Sequence, residues 1–558
     1  MFLTPKHAVA DYVARGWWEG STVDALFQRT ASAGGETLAL VDPANRAVLD
    51  GHAPERLTWT ALRDRVERTA AALLGLGLAK DDIIAAQLPN TVDAVIVFLA
   101  CSRLGLIITP VVMQYREHEL AYIVAQTEPR AFITVPSFGG YDHAAQAARL
   151  AADRPNMTVI AGLDGLDADP AAVALYVAAH PTDGAEVLTI CWTSGTESRP
   201  KGVPRDHNHW LLNARVVAES TGMVPGDTLL NPFPLVNIGS IGGLVLPWLL
   251  LQGRLILHHP FDLGVFLRQI ATEQVTYTIA PPAVLTALLM QPELIGEGAL
   301  ASLRAVGSGS APLSPWLIDT WAARHNIQIC NIFGSNEGAS LFSSHLDVPD
   351  TTERARYFPR WGADGTNWPG FTPSVIRTRL VDLETEVTIT EPGHPGELRI
   401  AGGNVFSGYW RNPELTAAAF DTQGAYRTGD LFEIAGDGDL SRFYRFVGRS
   451  KEIIVRGGVN LSPAEVDDLL VGHPMLKEAA TVGIPDDRLG ERVAVAVVPR
   501  DGHNPVLADI SAWMESRDVA LFKRPERLVV VAQLPRNAMN KVVRSELRQL
   551  VLAALAAA

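Results

Sequence analysis

Cysteine is scarce, with three residues (Cys101, Cys191 and Cys330) in a chain of 558. No two of them stand at a CxxC spacing. That excludes a disulfide framework and a conventional zinc site, and it suits a reducing compartment. Positive charge is also in deficit: 47 Lys+Arg against 61 Asp+Glu leave a net charge of −14, which argues against a general nucleic-acid binder. Long apolar runs are missing. The most apolar stretch, 238–251, is too short for a span and is broken by Gly239, Gly242, Gly243 and Pro247, so it reads as a buried core element. The opening residues lack the apolar core of a secretory signal, and the expectation is a soluble cytoplasmic protein. No internal period points to a repeat array.

What is present is a foldable composition, 47% hydrophobic and 19% charged. At roughly 150 residues per domain, the length allows about three or four domains or subdomains. The first third alternates helical and strand patterns. Leu62, Val66, Ala70 and Leu73 mark one face of a helix over Thr58–Leu76, and Ile83–Leu88 is a short apolar run closed by Pro89-Asn90. A helix over Thr91–Arg103 and a strand over Leu106–Val111 follow, and the alternation continues to about residue 340. This texture points to parallel α/β layers. From about 370 to 447 short strands dominate (Ser374–Leu380, Glu386–Thr390, Gly396–Ala401 and Phe443–Val447), separated by turn residues, as in an antiparallel β subdomain. A last unit begins near Gly448-Arg449, with a strand at Ile453–Arg456. Ser462, Pro463 and Glu465 then stand at the N-cap, N1 and N3 positions of a helix, a capping-box pattern.

Several turns carry chemistry-bearing residues. After the apolar strand Val187–Trp192 comes Thr193-Ser194-Gly195-Thr196-Glu197-Ser198-Arg199-Pro200-Lys201-Gly202. Hydroxyls, a glycine and a lysine on a turn after a strand are suited to holding phosphate oxygens. Pro200 and Gly202 flank the lysine, so this is not a Walker A loop. Four more segments follow in order: Asn331–Gly338 with Glu337, Tyr426–Leu431 with Asp430, Gly448–Glu452, and Leu534–Lys541. His207 and His209 have no third ligand in sight and read as a polar helix start. His258-His259 reads as a solvated or internally satisfied pair.

Taken together, these motifs make the chain resemble the adenylate-forming enzymes: acyl- and aryl-CoA synthetases, peptide-synthetase adenylation domains and firefly luciferase. The resemblance runs from about residue 20 to 550. It is strongest toward stand-alone acyl- or aryl-acid ligases, through Pro200–Arg205, Arg456–Asn460 and Leu489–Arg492. It implies an α/β fold with a large N-terminal domain (1–447) and a small mobile α+β C-terminal domain (453–558), joined by a hinge at 448–452. The large domain would hold two doubly wound α/β subdomains and a distorted antiparallel β-barrel.

The implied reaction has two steps. A carboxylate attacks the α-phosphate of MgATP to give an acyl-adenylate and pyrophosphate. Coenzyme A, or alternatively an amine or a carrier-protein thiol, then takes the acyl group. By position, Thr193, Ser194, Gly195, Thr196 and Lys201 match the phosphate loop and Glu337 the Mg²⁺ ligand. Gly309, Ser310, Ala311 and Pro312 match the segment against adenine, with Phe333, Gly334, Ser335 and Asn336 beside the nucleotide. Asp430 and Arg449 match the ribose contacts. Lys541 matches the lysine reaching the attacking carboxylate and the α-phosphate, where it would stabilise developing charge. Lys451 matches the hinge, and Gly457-Gly458 the loop near the coenzyme A channel. The acyl pocket would draw on Val236, Asn237, Ser240, Gly309 and Gly334.

The family pattern is broken at four places. Glu197 and Ser198 replace Thr and Gly in the phosphate loop, Asn336 stands where Thr is usual, Asn540 replaces the Gly before Lys541, and Val236 or Asn237 replaces a histidine. A mostly small or apolar pocket without an acidic reader favours an apolar cyclic, aromatic or medium-chain acid over an amino acid. The remaining partner expectations are a monomer or homodimer, no nucleic acid and no membrane span.

Overall fold

The computed structural model describes residues 1–558 except 194–199, 310–311, 457–458, 487, 518, 538–539 and 558. Two parallel sheets form the first 340 residues. One has six strands in the order Lys201–Asp206, Val187–Thr193, Ile107–Pro110, Ile83–Gln87, Ala131–Thr134 and Thr158–Ala161, parallel except for the first pair. The other has eight strands, whose parallel run is Gln328–Gly334, Ala305–Gly309, Tyr277–Ile279, Thr228–Asn231, Arg254–Leu257 and Leu38–Val41. Antiparallel strands Ser340–Ser343 and Arg56–Thr58 close its two edges.

The local signals act as their chemistry dictates. Thr58 caps the helix Trp59–Gly75 by accepting the Ala61 N–H, and Gly105 ends Val92–Leu104 in a left-handed conformation with φ of 71°. Val92–Leu104 is buried on nearly every side, as an all-round apolar helix must be. Trp59 stacks on Trp248 with ring centroids 5.0 Å apart, tying the helices over one sheet to those over the other. The apolar stretch at 238–251 is indeed internal. Its first half, Ile238–Val245, is a π-helix, and Leu246–Leu251 continues as an α-helix. Among the described residues, no helix is long and apolar enough to cross a membrane.

The third unit is an antiparallel sheet in the order Tyr357–Pro359, Phe443–Arg449, Tyr426–Ile434, Gly396–Gly402, Ile376–Val381 and Thr388–Ile389. Among the described residues no pairing joins its two end strands. The strand expected from Ser374 starts at Ile376, because Pro373 sits in the first turn of a short helix, Thr372–Val375.

The fourth sheet lies within residues 454–530. Gly490–Pro499 is its centre, with Leu476–Asp486 and Ile454–Arg456 antiparallel to it and Arg527–Val530 parallel. Its two apolar clusters draw on residues 454–551 alone. Ser462 caps Pro463–Leu470 through the Glu465 N–H, but only half of the expected capping box forms. The Glu465 carboxylate pairs instead with Lys523.

Candidate active site

The site lies at the carboxyl ends of the eight-stranded sheet, where the antiparallel sheet and the last unit meet it. Gly309 ends its strand in register with Ile332 on the next. A Cβ at Gly309 would stand 2.1 Å from the Ile332 carbonyl oxygen, so only glycine permits this approach. Pro312 follows, exposed, while Ser310 and Ala311 lie outside the described residues. Phe333 meets Phe432 edge-on at 5.1 Å, joining the strand end to the antiparallel sheet. The Ser335 hydroxyl is buried with no hydrogen-bond partner among the described residues.

Glu337 follows on the turn after that strand and is only 6% exposed. The Tyr409 hydroxyl donates to its Oε1 at 2.9 Å, and among the described residues nothing hydrogen-bonds its other oxygen. Burial and the neighbouring Glu337 charge push the Tyr409 phenol well above its usual range. Lys201 Nζ lies 5.5 Å from the centre of the same ring, so a cation and a carboxylate share one aromatic neighbour. Lys201 opens its strand directly opposite Thr193, which ends the preceding one. The loop between them, with Ser194, Gly195, Thr196, Glu197 and Ser198, falls outside the described residues. The Trp410 backbone N–H donates to the Gly202 carbonyl at 2.9 Å, joining the lysine strand to the tyrosine segment.

A second charge group stands alongside. Asp430 and Arg449 face each other across paired strands, with Nε 3.3 Å from Oδ1. Burial pushes the Asp430 carboxyl up to about 6; Arg449 and Lys541 pull it down and Glu452 pushes it up. Lys541 keeps solvent contact, yet its crowded surroundings and then Arg449 push its ammonium down while Asp430 opposes them. The turn that presents Lys541 is tight. Lys541 N donates to Asn537 Oδ1 at 3.0 Å, Asn537 N to the Lys541 carbonyl at 2.9 Å, and Asn540 adopts φ of 61°. Asn is among the few residues that tolerate this left-handed backbone. Three residues on, Arg544 joins Glu452 at 3.0 Å and Asp467 at 2.6 Å. Lys451, on the turn before Glu452, is exposed, and Gly457-Gly458 lie outside the described residues.

On the other side of Glu337, Asn237 caps the π-helix by accepting the Ser240 N–H at 3.1 Å. Such helices are rare and concentrate at functional sites. Asn336 Oδ1 accepts the Ile238 N–H at 2.8 Å, linking the Glu337 turn to that helix. Val236 is buried at the helix entry, next to an apolar seam lined by Ala86, Phe98, Pro110 and Leu235. Ser240 belongs to the scaffold, since Asn231 donates to its hydroxyl at 2.8 Å. Gly334 ends its strand exposed.

The remaining candidates are structural. His207 and His209 open the helix His207–Thr221 and are buried and bonded, His209 Nε2 at 2.9 Å from the Val405 carbonyl. His258 is an internal partner of Gln269 at 2.6 Å. All three cysteines are buried free thiols pushed up to about 12 by burial. Among the described residues, no group of three or more His, Cys, Asp or Glu could hold a metal.

The sequence of the AMP-binding enzyme model matches residues 27–410, and that of the AMP-binding enzyme C-terminal domain matches 465–541. The chain belongs to the AMP-binding enzyme family. This AMP-binding enzyme is 30% identical to 2-hydroxy-7-methoxy-5-methyl-1-naphthoate–CoA ligase of Streptomyces carzinostaticus over 98% of its own length and 96% of the relative's. It is 29% identical to medium-chain fatty-acid–CoA ligase of Escherichia coli (strain K12), over 97% and 92%. ATP-bound MatB from Rhodopseudomonas palustris shares its fold with a TM-score of 0.78 and 26% identity, covering 94% of this chain and 98% of MatB.

Tyr409 is the site residue that the motifs did not single out. Its signal is an aromatic pair after Gly408, a pattern that reads equally well as core.

Proposed function

We propose that this AMP-binding enzyme is an ATP-dependent acid–thiol ligase. In the first step a carboxylate oxygen of the acid attacks the α-phosphorus of ATP, the α–β bond breaks, and pyrophosphate leaves. In the second step the thiol of coenzyme A adds to the acyl carbonyl, loses its proton, and AMP departs. The observation that carries this reading is the meeting of Lys541 with Asp430 and Arg449, more than ninety residues apart in sequence, with Tyr426 in the field of both Asp430 and Glu337.

Asp430 would accept hydrogen bonds from the ribose hydroxyls while Arg449 keeps it ionised. Lys541 would stabilise the charge that builds on the phosphoryl oxygens. Thr193, Lys201 and the loop 194–199 would hold the triphosphate, and Gly309–Pro312 with Phe333–Asn336 would enclose the adenine. Glu337 would hold Mg²⁺. A buried carboxylate with one oxygen unengaged among the described residues fits a hard cation that binds through one or two carboxylates plus phosphates. Bound with the triphosphate, the cation supplies neutralisation of phosphate charge.

The chain would divide into a large domain, 1–447, a hinge at 448–452 around Lys451, and a small domain, 453–558, whose rotation brings Gly457-Gly458 to the coenzyme A channel. The separate apolar core of residues 454–551 supports that division. The acid would be apolar: aromatic, cyclic or of medium chain length. Val236 beside an apolar seam supports this, as do the substrates named for the two ligases above.

The test incubates the protein with MgATP and a panel of carboxylic acids, with coenzyme A in one arm and small amines in the other. Mass spectrometry reads AMP and every acyl product. Acyl-CoA from one class of acid is the expected result. AMP with amide, or adenylate without thioester, would overturn coenzyme A as the acceptor, and no acid-dependent AMP from any acid would overturn the ligase reading.

A further inference from the structure

Arg205 is buried to 1% exposure, and among the described residues it has no ion pair. Its guanidinium donates instead to three backbone carbonyls: Asn336 at 3.1 Å, His209 at 3.2 Å and Asn404 at 2.9 Å. Its Nε is buried without a partner among the described residues, and Trp210 covers the guanidinium, whose carbon lies 4.7 Å from the ring centre. A buried cation held only by neutral dipoles is costly. Burial lowers its pKa to about 10, so it still carries its charge at neutral pH, and Glu337 is one of the carboxylates whose field it feels.

The three carbonyls come from three separate segments: the helix start at 207–210, the turn at 335–339 and the loop at 402–406. On the middle segment, every backbone carbonyl from 336 to 338 is captured. Asn336 O accepts from Arg205, Glu337 O from the Phe406 N–H at 2.8 Å, and Gly338 O from Asn404 Nδ2 at 2.8 Å. The packing is close. Gly338 has φ of 91°, and a Cβ there would stand 1.8 Å from the Asn404 carbonyl oxygen and 2.6 Å from Arg205 Nη1. The turn is therefore held along its backbone, and the Glu337 side chain leaves it toward Tyr409.

We propose that Arg205 is a positioning residue that, by clamping the turn 336–338, fixes the Glu337 carboxylate for the cation that accompanies the triphosphate. The proposal rests on the reading of Glu337 as that ligand. Groups behind a metal ligand set its orientation, and losing one typically weakens metal affinity about 10- to 100-fold.

The experiment compares wild type, Arg205→Lys, Arg205→Met and Asn404→Ala by thermal shift with ATP plus Mg²⁺ and with ATP plus EDTA. It also measures the Mg²⁺ concentration giving half-maximal acid-dependent pyrophosphate exchange. In Arg205→Met the Mg²⁺ requirement should rise at least about tenfold, with partial recovery in Arg205→Lys, while the shift given by ATP with EDTA stays at the wild-type value. A folded Arg205→Met with an unchanged Mg²⁺ requirement overturns the proposal. So does a loss of ATP response that is equal with and without Mg²⁺, which is what mere loosening of the fold would give. If both Arg205 variants fail to fold, Asn404→Ala releases the same turn at Gly338 while leaving Arg205 and its three backbone acceptors in place. It should raise the Mg²⁺ requirement in the same direction, and an unchanged value would overturn the clamp. Wild type without acid-dependent exchange would break the ligase reading, whereas the Mg²⁺-dependent thermal shift would still report on Glu337.

Discussion

The Tyr409 hydroxyl donates a hydrogen bond of 2.9 Å to the buried carboxylate of Glu337, seventy-two residues earlier in the chain. The bond fixes one carboxylate oxygen, and among the described residues nothing hydrogen-bonds the other. Removing the hydroxyl while keeping the ring, as in Tyr409→Phe, preserves the contact with Lys201 and the packing on Phe406. A hydrogen bond to a charged group is worth about 1.5–3 kcal/mol. Acid-dependent pyrophosphate exchange should therefore fall about tenfold or more in this variant, with the melting temperature little changed. Exchange at the wild-type rate would remove Tyr409 from the site.

Lys541 should matter to one half-reaction only. Lys541→Ala is expected to abolish acyl-adenylate formation and to spare thioester formation from supplied acyl-adenylate and coenzyme A. Single-turnover assays of each half separate the two. Equal loss of both would contradict the assigned role.

With Asp430 at the ribose, as proposed, nucleotide affinity should depend on pH. A carboxylate accepts ribose hydrogen bonds better than a carboxylic acid does, and burial raises this group to about 6. ATP affinity should therefore weaken as pH falls through about 6. Asp430→Asn should bind more weakly and lack that titration, which separates it from the phosphates of ATP. In Arg449→Gln the midpoint should move up, because a cation that favours ionisation is gone. Stability runs in the opposite sense. The folded value lies above the ordinary 3.8, so this group's stabilising contribution is complete below that pH and is lost as pH rises through about 6. Calorimetric titration of wild type and both variants between pH 5 and 8 decides it, and an affinity profile shared by wild type and Asp430→Asn would sink the assignment.

Lys451 tests the hinge. Proline fixes φ and removes an N–H, so Lys451→Pro should hold the small domain in one orientation. Adenylate formation should continue while thioester formation stalls. A normal second half-reaction would move the hinge elsewhere in 448–452.

Much of this architecture was legible before any coordinates, because local chemistry decides it. Thr58 and Ser462 are N-caps whose side chains have few better uses, and the strand at Ile83–Gln87 falls within one residue of the apolar run that announces it. The π-helix was not legible. One of its carbonyls takes a tertiary partner, Asn213, which donates to Gly242 O at 3.0 Å, and no periodicity of the segment itself encodes that. Glu465 satisfies a capping-box pattern, yet Lys523, distant in sequence, takes its carboxylate. Tyr409 and Arg205 escaped for the same reason. Each acts through a contact with residues 336–337, and a single sequence does not display contacts across that separation.

The hydrogen bond from Ile238 to Asn336 has a consequence for redesign. One end of it lies at the entry to the proposed acyl pocket and the other is adjacent to Glu337. Substitutions at 236–240 made to admit a new acid will thus be epistatic with substitutions at 336–337. Their effects should fail to add, because contacting residues share one relaxation. Libraries that vary the acid pocket alone will explore only sequences compatible with the present Glu337 turn. A change of substrate class is more accessible when Asn336 varies together with Asn237.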